Sequence, residues 1–306
     1  MIAQNDEFLH DAGSTPDGEE RLSMLFADKK AKTYGFAELA LGSKDRTLSD
    51  FFFVVNGQVY SSSETAESEH KAGAKLVAGK GLKYKILPEG FSFAAKAAPV
   101  DAEFLLSPHF PAFDFPFSPG KAPDPKREAY EAALFRHYEQ RCRVTGSISI
   151  KNGPSKTIDC AAQRRHLWGT IPWKNVTAFS RFHVLFKDMT VSLVYMNLEG
   201  TVVSNGFLSR KSGNIPIVGT DLEHLEVGKD KMLRSSEMSY LDSQDDKDLV
   251  VSTVLFREPS SEVKQGKKKF LLFRAFSEFV VIGANKKGVG FEEHYVVPER
   301  VGDFVK

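Results

Sequence analysis

Apolar and polar residues alternate with a period of two along most of the chain. Leu82, Tyr84 and Ile86 alternate with Lys83 and Lys85, the pattern of a half-buried strand. Cys142, Val144, Ile148 and Ile150 alternate with Arg143, Thr145, Ser147 and Ser149. Ala178, Phe182, Val184 and Phe186 share one face of a further candidate strand, and Arg181 and His183 share the other. Val191, Leu193 and Tyr195 continue the pattern, as do Val250, Val254 and Phe256. Phe270, Leu272, Arg274 and Phe276 line one face of a late strand. Turn signals fall between these runs: Asn56-Gly57, Asn152-Gly153 and Glu199-Gly200. Many short strands separated by turns predict an all-β antiparallel sandwich or barrel rather than βαβ units.

One helix is expected. Asp124 serves as its N-cap and Pro125 as its first residue, and Ala129, Tyr130, Ala133, Leu134 and His137 follow at helical spacing. A Pro- and Phe-rich segment, 109–125, precedes it and reads as a long connecting loop. This divides the chain into halves of 1–138 and 139–306, each about the size of an eight-stranded barrel that holds one ligand.

Composition narrows the function. Lys plus Arg number 41 and Asp plus Glu number 40, a formal net charge of +1. That balance argues against a nucleic-acid partner and against electrostatic docking on an anionic membrane. Phe is over-represented, with 25 residues, which suits a packed β core and a pocket for a flat or greasy ligand. Cys142 and Cys160 have no zinc spacing, and the eight histidines are scattered, so the sequence predicts no metal. No apolar run is long enough for a membrane span, and the first residues lack the pattern of a secretory signal, so a cytoplasmic protein is expected. An exposed strand edge offers a route to a homodimer.

Nucleotide-binding and hydrolase signatures are missing, so no cofactor is expected. Gly288-Val289-Gly290 reads as a place of close packing in a strand. The densest chemical constellation is Gln163-Arg164-Arg165-His166-Leu167-Trp168-Gly169-Thr170-Ile171-Pro172-Trp173. Its imidazole can exchange a proton near neutral pH, and its guanidinium groups can hold an oxyanion or stack on indole. The alternative is a structural plug, with Trp168 buried and His166 hydrogen-bonded to backbone.

This stretch resembles the G-Q-R-D-H-S-W-G-x-R-D-W signature of a bacterial family related to carotenoid 1,2-hydratase (hydroxyneurosporene synthase) and tocopherol cyclase, which are tandem lipocalin-like, or calycin-like, proteins. The segment 137–146 (HYEQRCRVTG) is similar to the Y-E-Q-x-x-R-V-x-G stretch that opens the family's second half, and 288–293 (GVGFEE) to a C-terminal G-x-G-x-x-E segment. Gln163, Arg164, His166, Trp168, Gly169 and Trp173 match. Arg165 stands where the family has Asp, Leu167 where it has Ser, and Ile171-Pro172 where it has Arg-Asp, so a His–Asp pair at those positions is lost.

The resemblance implies two antiparallel lipocalin-like barrels or half-barrels in tandem around an apolar cavity. It also implies cofactor-independent acid–base chemistry on a small hydrophobic compound, isoprenoid or lignin-type aromatic, by a hydratase, small-fragment lyase or isomerase. His166, Glu139, Glu293 and Tyr138 are the candidate acids and bases. Arg164, Trp168, Trp173, Tyr195 and His137 are the candidate substrate contacts. A non-catalytic carrier of a hydrophobic metabolite and an interaction module without a cavity are the competing readings.

Overall fold

The computed structural model describes residues 4–10, 18–42, 46–68, 71–115 and 136–304. The strands are β1 (Gly18–Asp28), β2 (Thr33–Gly42), β3 (Arg46–Val55), β4 (Gln58–Glu67), β5 (Leu76–Ala78), β6 (Leu82–Leu87), β7 (Gly90–Ala97), β8 (Val100–Pro108), β9 (Phe113–Asp114), β10 (Arg136–Ile150), β11 (Ser155–Thr170), β12 (Val176–Leu185), β13 (Met189–Leu198), β14 (Thr201–Arg210), β15 (Gly213–Val227), β16 (Leu233–Asp242), β17 (Lys247–Arg257), β18 (Ser261–Gln265), β19 (Lys268–Val281) and β20 (Lys286–Val296). A four-residue helix, α1 (Val301–Phe304), follows the last strand. The helix expected near 124–137 lies outside the described residues except at its end. There His137 is in β10, paired with Leu167 of β11, because a backbone ladder claims it.

Two compact units result, one of residues 1–114 and 133–171, the other of residues 115–132 and 172–306. In the first, the sheet order is β4-β3-β2-β1-β11-β10-β8-β7-β6-β5, with β9 paired to β10. Strand β10, which runs across residue 138, and β11, which follows it, thus sit at the centre of the first sheet. The sheet curls until its edges meet through side chains. Ser68 donates to the Ala78 carbonyl at 2.8 Å, and Lys80 pairs with Glu64. In the second unit the order β17-β16-β15-β14-β13-β12-β20-β19 closes on itself through a β17–β19 ladder, and β18 hangs on β19. This is an eight-stranded closed barrel, all antiparallel. Closure removes the exposed edges that an open sheet must protect.

The predicted turns form where the sequence placed them. Asn56, Asn152 and Glu199 all have positive φ, as tight hairpins demand. Each unit has its own apolar core. Phe26, Phe53 and Phe104 pack in the first, Phe182 and Phe279 in the second. Each fully buried Phe contributes roughly 1.5–3 kcal/mol from area removed from water. Phe270, Leu272 and Phe276 share the outer face of β19, opposite the barrel interior, and are buried as well. Gly288 and Gly290 do allow close packing: a Cβ on Gly290 would sit 1.8 Å from the His183 carbonyl oxygen. Among the described residues no helix is long and apolar enough to cross a membrane.

Candidate active site

Strand β11 carries the constellation that the sequence singles out, and its pleat divides it. Ala162 belongs to the apolar core of the first unit, so Arg164, His166 and Trp168, at steps of two, project from the same concave face. The register brings matching residues alongside. In β1, Glu20, Leu22 and Met24 lie opposite Trp168, His166 and Arg164. In β10, Arg136, Tyr138 and Gln140 lie opposite the same three. The N-terminal segment adds Glu7 and His10. It is tied down by Leu9, whose backbone bonds Ala74 and Gly73 and whose side chain enters the core.

The polar groups on this face form one network. His166 Nε2 lies 2.6 Å from Glu20 Oε1, and His166 Nδ1 lies 3.2 Å from the Tyr138 hydroxyl. Tyr138 also donates to Glu7 Oε2 at 2.6 Å. Arg164 grips Glu7 with two nitrogens, at 2.9 and 2.8 Å, donates to the Tyr138 oxygen at 2.9 Å and bonds Gln140 at 2.7 and 2.9 Å. His10 Nδ1 reaches the same Glu20 oxygen at 3.1 Å, and its ring stacks on Trp168 with centroids 4.1 Å apart. The Arg164 guanidinium lies 3.7 Å from the centre of the Phe91 ring, a cation–π contact.

Electrostatics follow from burial and pairing. Burial alone would raise the Glu20 carboxyl, but hydrogen bonds and charge from His10 and His166 hold it below its ordinary value. Burial would likewise raise Glu7, and Arg164 with Tyr138 overcomes it, so Glu7 also stays ionised. Burial pushes His166 down, against the pull of Glu20. The pair is therefore carboxylate and neutral imidazole at neutral pH, with Nε2–H donating to Glu20 and Nδ1 free to accept. Burial raises Tyr138 well above the usual phenol range, which keeps its proton in place. That single proton faces two acceptors, Glu7 and His166 Nδ1.

The structural-plug alternative expected a buried Trp168 and a backbone-bonded His166. Trp168 is instead half-buried, and His166 meets the side chains of Tyr138 and Glu20. The missing Asp at position 165 also takes on a different meaning. Arg165 points to the opposite face of the strand, where it bonds Ser23 and Glu38. The acidic partner of His166 comes from β1, as Glu20.

The structure brings together Tyr138, Arg164, His166 and Trp168 of the sequence candidates. It does not bring the others to them. His137 and Glu139 occupy the other face of β10, where they approach each other at 3.0 Å and Gln163 donates to Glu139. Trp173, Tyr195 and Glu293 belong to the second unit. Trp173 packs among Phe179, Phe270 and Tyr295. Tyr195 is in the barrel core, with the Asn197 side chain 3.4 Å from its hydroxyl. Glu293 pairs with Arg181 and accepts from Tyr295. Sequence reasoning passed over Glu7, His10, Glu20 and Gln140, which stand among other polar residues in the sequence and carry no local signal there. It also passed over a buried pair inside the closed barrel. There Glu292 accepts from Ser236, Ser252 and Ser277, and His294 lies between Glu292 and Ser180 at 3.1 and 2.9 Å.

No curated protein matches the sequence significantly. A candidate AttH protein from Nitrosomonas europaea has a similar structure, with a TM-score of 0.74 and 11% identity over 96% of each chain. CghA superposes with a TM-score of 0.66 at 9% identity, covering 92% of this chain and 88% of its own. Kievitone hydratase from Nectria haematococca gives 0.64 at 9% identity, covering 94% and 93%. At such identities the likeness concerns the fold, and it bears out the tandem lipocalin-like architecture expected from the Gln163–Trp173 stretch. Residues 3–296 match the family described as "Domain of unknown function (DUF7064)", and the chain belongs to that family.

Proposed function

We propose that the protein is a hydratase-type lyase that adds water to, or removes it from, a small hydrophobic compound on the concave face of the first unit. The observation that carries this reading is the Tyr138 hydroxyl. It is held between a neutral imidazole, a guanidinium and a carboxylate, on a face otherwise built from apolar and aromatic side chains. That a kievitone hydratase shares the fold supports the reaction class.

Tyr138 is the acid–base group that meets the substrate. When its proton passes to an alkene carbon, the phenolate is stabilised by Arg164. Water then adds to the cationic carbon and loses a proton to His166 Nδ1, which hands it to the phenolate oxygen while Nε2–H stays on Glu20. Dehydration runs the same steps backwards. Glu7 and His10 are the partly exposed members, with side chains 23% and 25% accessible, so substrate reaches the inner groups from their side.

A second reading, a carrier for a hydrophobic metabolite, draws on the burial of Tyr138 and His166, at 0% and 1% exposure. Native mass spectrometry of the purified protein, with extraction and identification of bound compounds, tests both. The lyase reading expects a bound hydrophobic compound, or an added isoprenoid or aromatic alkene, to change by 18 Da with wild type and not with His166→Ala. Stoichiometric binding without conversion, equal in both proteins, would establish the carrier instead.

A further inference from the structure

Sequence spacing shows no metal motif, yet the fold assembles a metal-competent set of donors from three distant places. We propose that His10, Glu20 and His166 form a binding site for one divalent first-row transition ion, with Zn²⁺ as the probe. The inference rests on donor geometry and holds whatever reaction the concave face performs. Among the described residues, one group has this character: the ligand atoms of these three side chains all lie within 4.8 Å of one another. Both imidazoles already converge on a single carboxylate oxygen, His10 Nδ1 at 3.1 Å and His166 Nε2 at 2.6 Å. In a tetrahedral site with metal–ligand bonds of about 2.1 Å, neighbouring donors stand about 3.4 Å apart. Small side-chain adjustments therefore let an ion take the place of the shared protons.

The donor set itself selects the ion. Two imidazoles and one carboxylate suit zinc and its neighbours, whereas calcium and magnesium prefer all-oxygen shells. Three protein ligands leave a fourth position for water, and one of the three, His10, is partly exposed. The outer contacts that a metal site needs are also in place. The Tyr138 hydroxyl holds His166 at its other nitrogen, 3.2 Å away. Trp168 stacks on His10 with its ring within 2° of parallel. The backbone N–H of His10 holds the second oxygen of Glu20 at 3.0 Å. Charge is favourable as well. Glu7 neutralises Arg164 through two hydrogen bonds, so the Glu20 carboxylate is left to balance the incoming cation. Ion and acid–base chain share His166 and Glu20, so zinc is expected to block turnover through that chain.

The test uses the full chain, dialysed against chelator and titrated with ZnCl₂ by isothermal calorimetry, with Co²⁺ absorption as a second readout. The expected result is one ion per chain and intense visible cobalt bands of a four-coordinate site. His10→Ala and Glu20→Gln should each weaken zinc binding at least tenfold and remove those bands, while His109→Ala leaves both unchanged. His10 lies on a partly exposed segment, so His10→Ala is expected to retain the fold and decides the matter if Glu20→Gln does not. An absence of saturable zinc binding, or equal binding by wild type and His10→Ala, would overturn the proposal.

Discussion

Of the buried carboxylate–imidazole pairs among the described residues, Glu292–His294 and Glu20–His166 differ most in their surroundings. In the closed barrel, Glu292 and His294 are sealed at 0% exposure, and the hydroxyls of Ser180, Ser236, Ser252 and Ser277 saturate them. In the curled sheet, Glu20 and His166 are just as deep, but they connect through Tyr138 and His10 to groups that touch solvent. The first arrangement spends every donor and acceptor on the protein itself, which specifies and rigidifies a core. The second leaves one phenol proton contested between two acceptors and places a guanidinium beside it. Pairing a carboxylate with a histidine is therefore not a sign of chemistry. An uncommitted proton with a route to the outside is.

Substitutions sharpen this contrast. The largest effect is expected from Tyr138→Phe, which removes the contested proton. Turnover should fall by about 10²–10⁴-fold, measured on protein whose circular dichroism remains that of β sheet. Next comes Glu292→Ala, which strips three serines and His294 of a shared acceptor. It should lower stability by about 3–5 kcal/mol in denaturant unfolding, with activity per folded molecule retained. If that variant instead loses turnover while keeping its stability, the sealed pair is functional and the comparison is inverted.

Acid acts in a milder way. Folding holds Glu7 and Glu20 below their ordinary value of 4.5 and His166 below 6.5. For all three the unfolded chain binds protons first as pH falls, so stability rises with pH across this range. The contribution should be complete above about pH 6.5 and be lost progressively from there to below pH 4.5. Glu20→Gln should flatten that loss, as read by thermal unfolding against pH. The smallest effect is expected from Glu139→Gln. This carboxylate lies one residue from Tyr138 but on the opposite face, so turnover should change less than twofold.

That last pair explains what the sequence could disclose. Strand alternation and the Asn-Gly turns made the β architecture legible, because the period of two and the positive φ are local properties. Arg164, His166 and Trp168 were legible as a set because steps of two on one strand share a face. The same rule, applied strictly, separates Tyr138 from Glu139 and Glu292 from Glu293, and in each case one neighbour faces inward and the other outward. Glu7, His10 and Glu20 were not legible. The place of Glu20 depends on the register of β1 against β11, which brings it to His166 across 146 residues, and Glu7 and His10 sit on a segment that Leu9 ties to Gly73 and Ala74. Adjacent positions gave no hint of it, and the family-like Asp position at residue 165 pointed to the wrong face.

The most direct test of the central claim is oxygen exchange in H₂¹⁸O. Wild type, Tyr138→Phe and Glu293→Gln would be incubated with a panel of hydrophobic alkenes and alcohols, with products read by mass spectrometry. Wild type and Glu293→Gln are expected to incorporate one ¹⁸O into the same compound at similar rates, with Tyr138→Phe at least a hundredfold slower. Equal incorporation by wild type and Tyr138→Phe would contradict the claim and move the chemistry away from the concave face of the first unit.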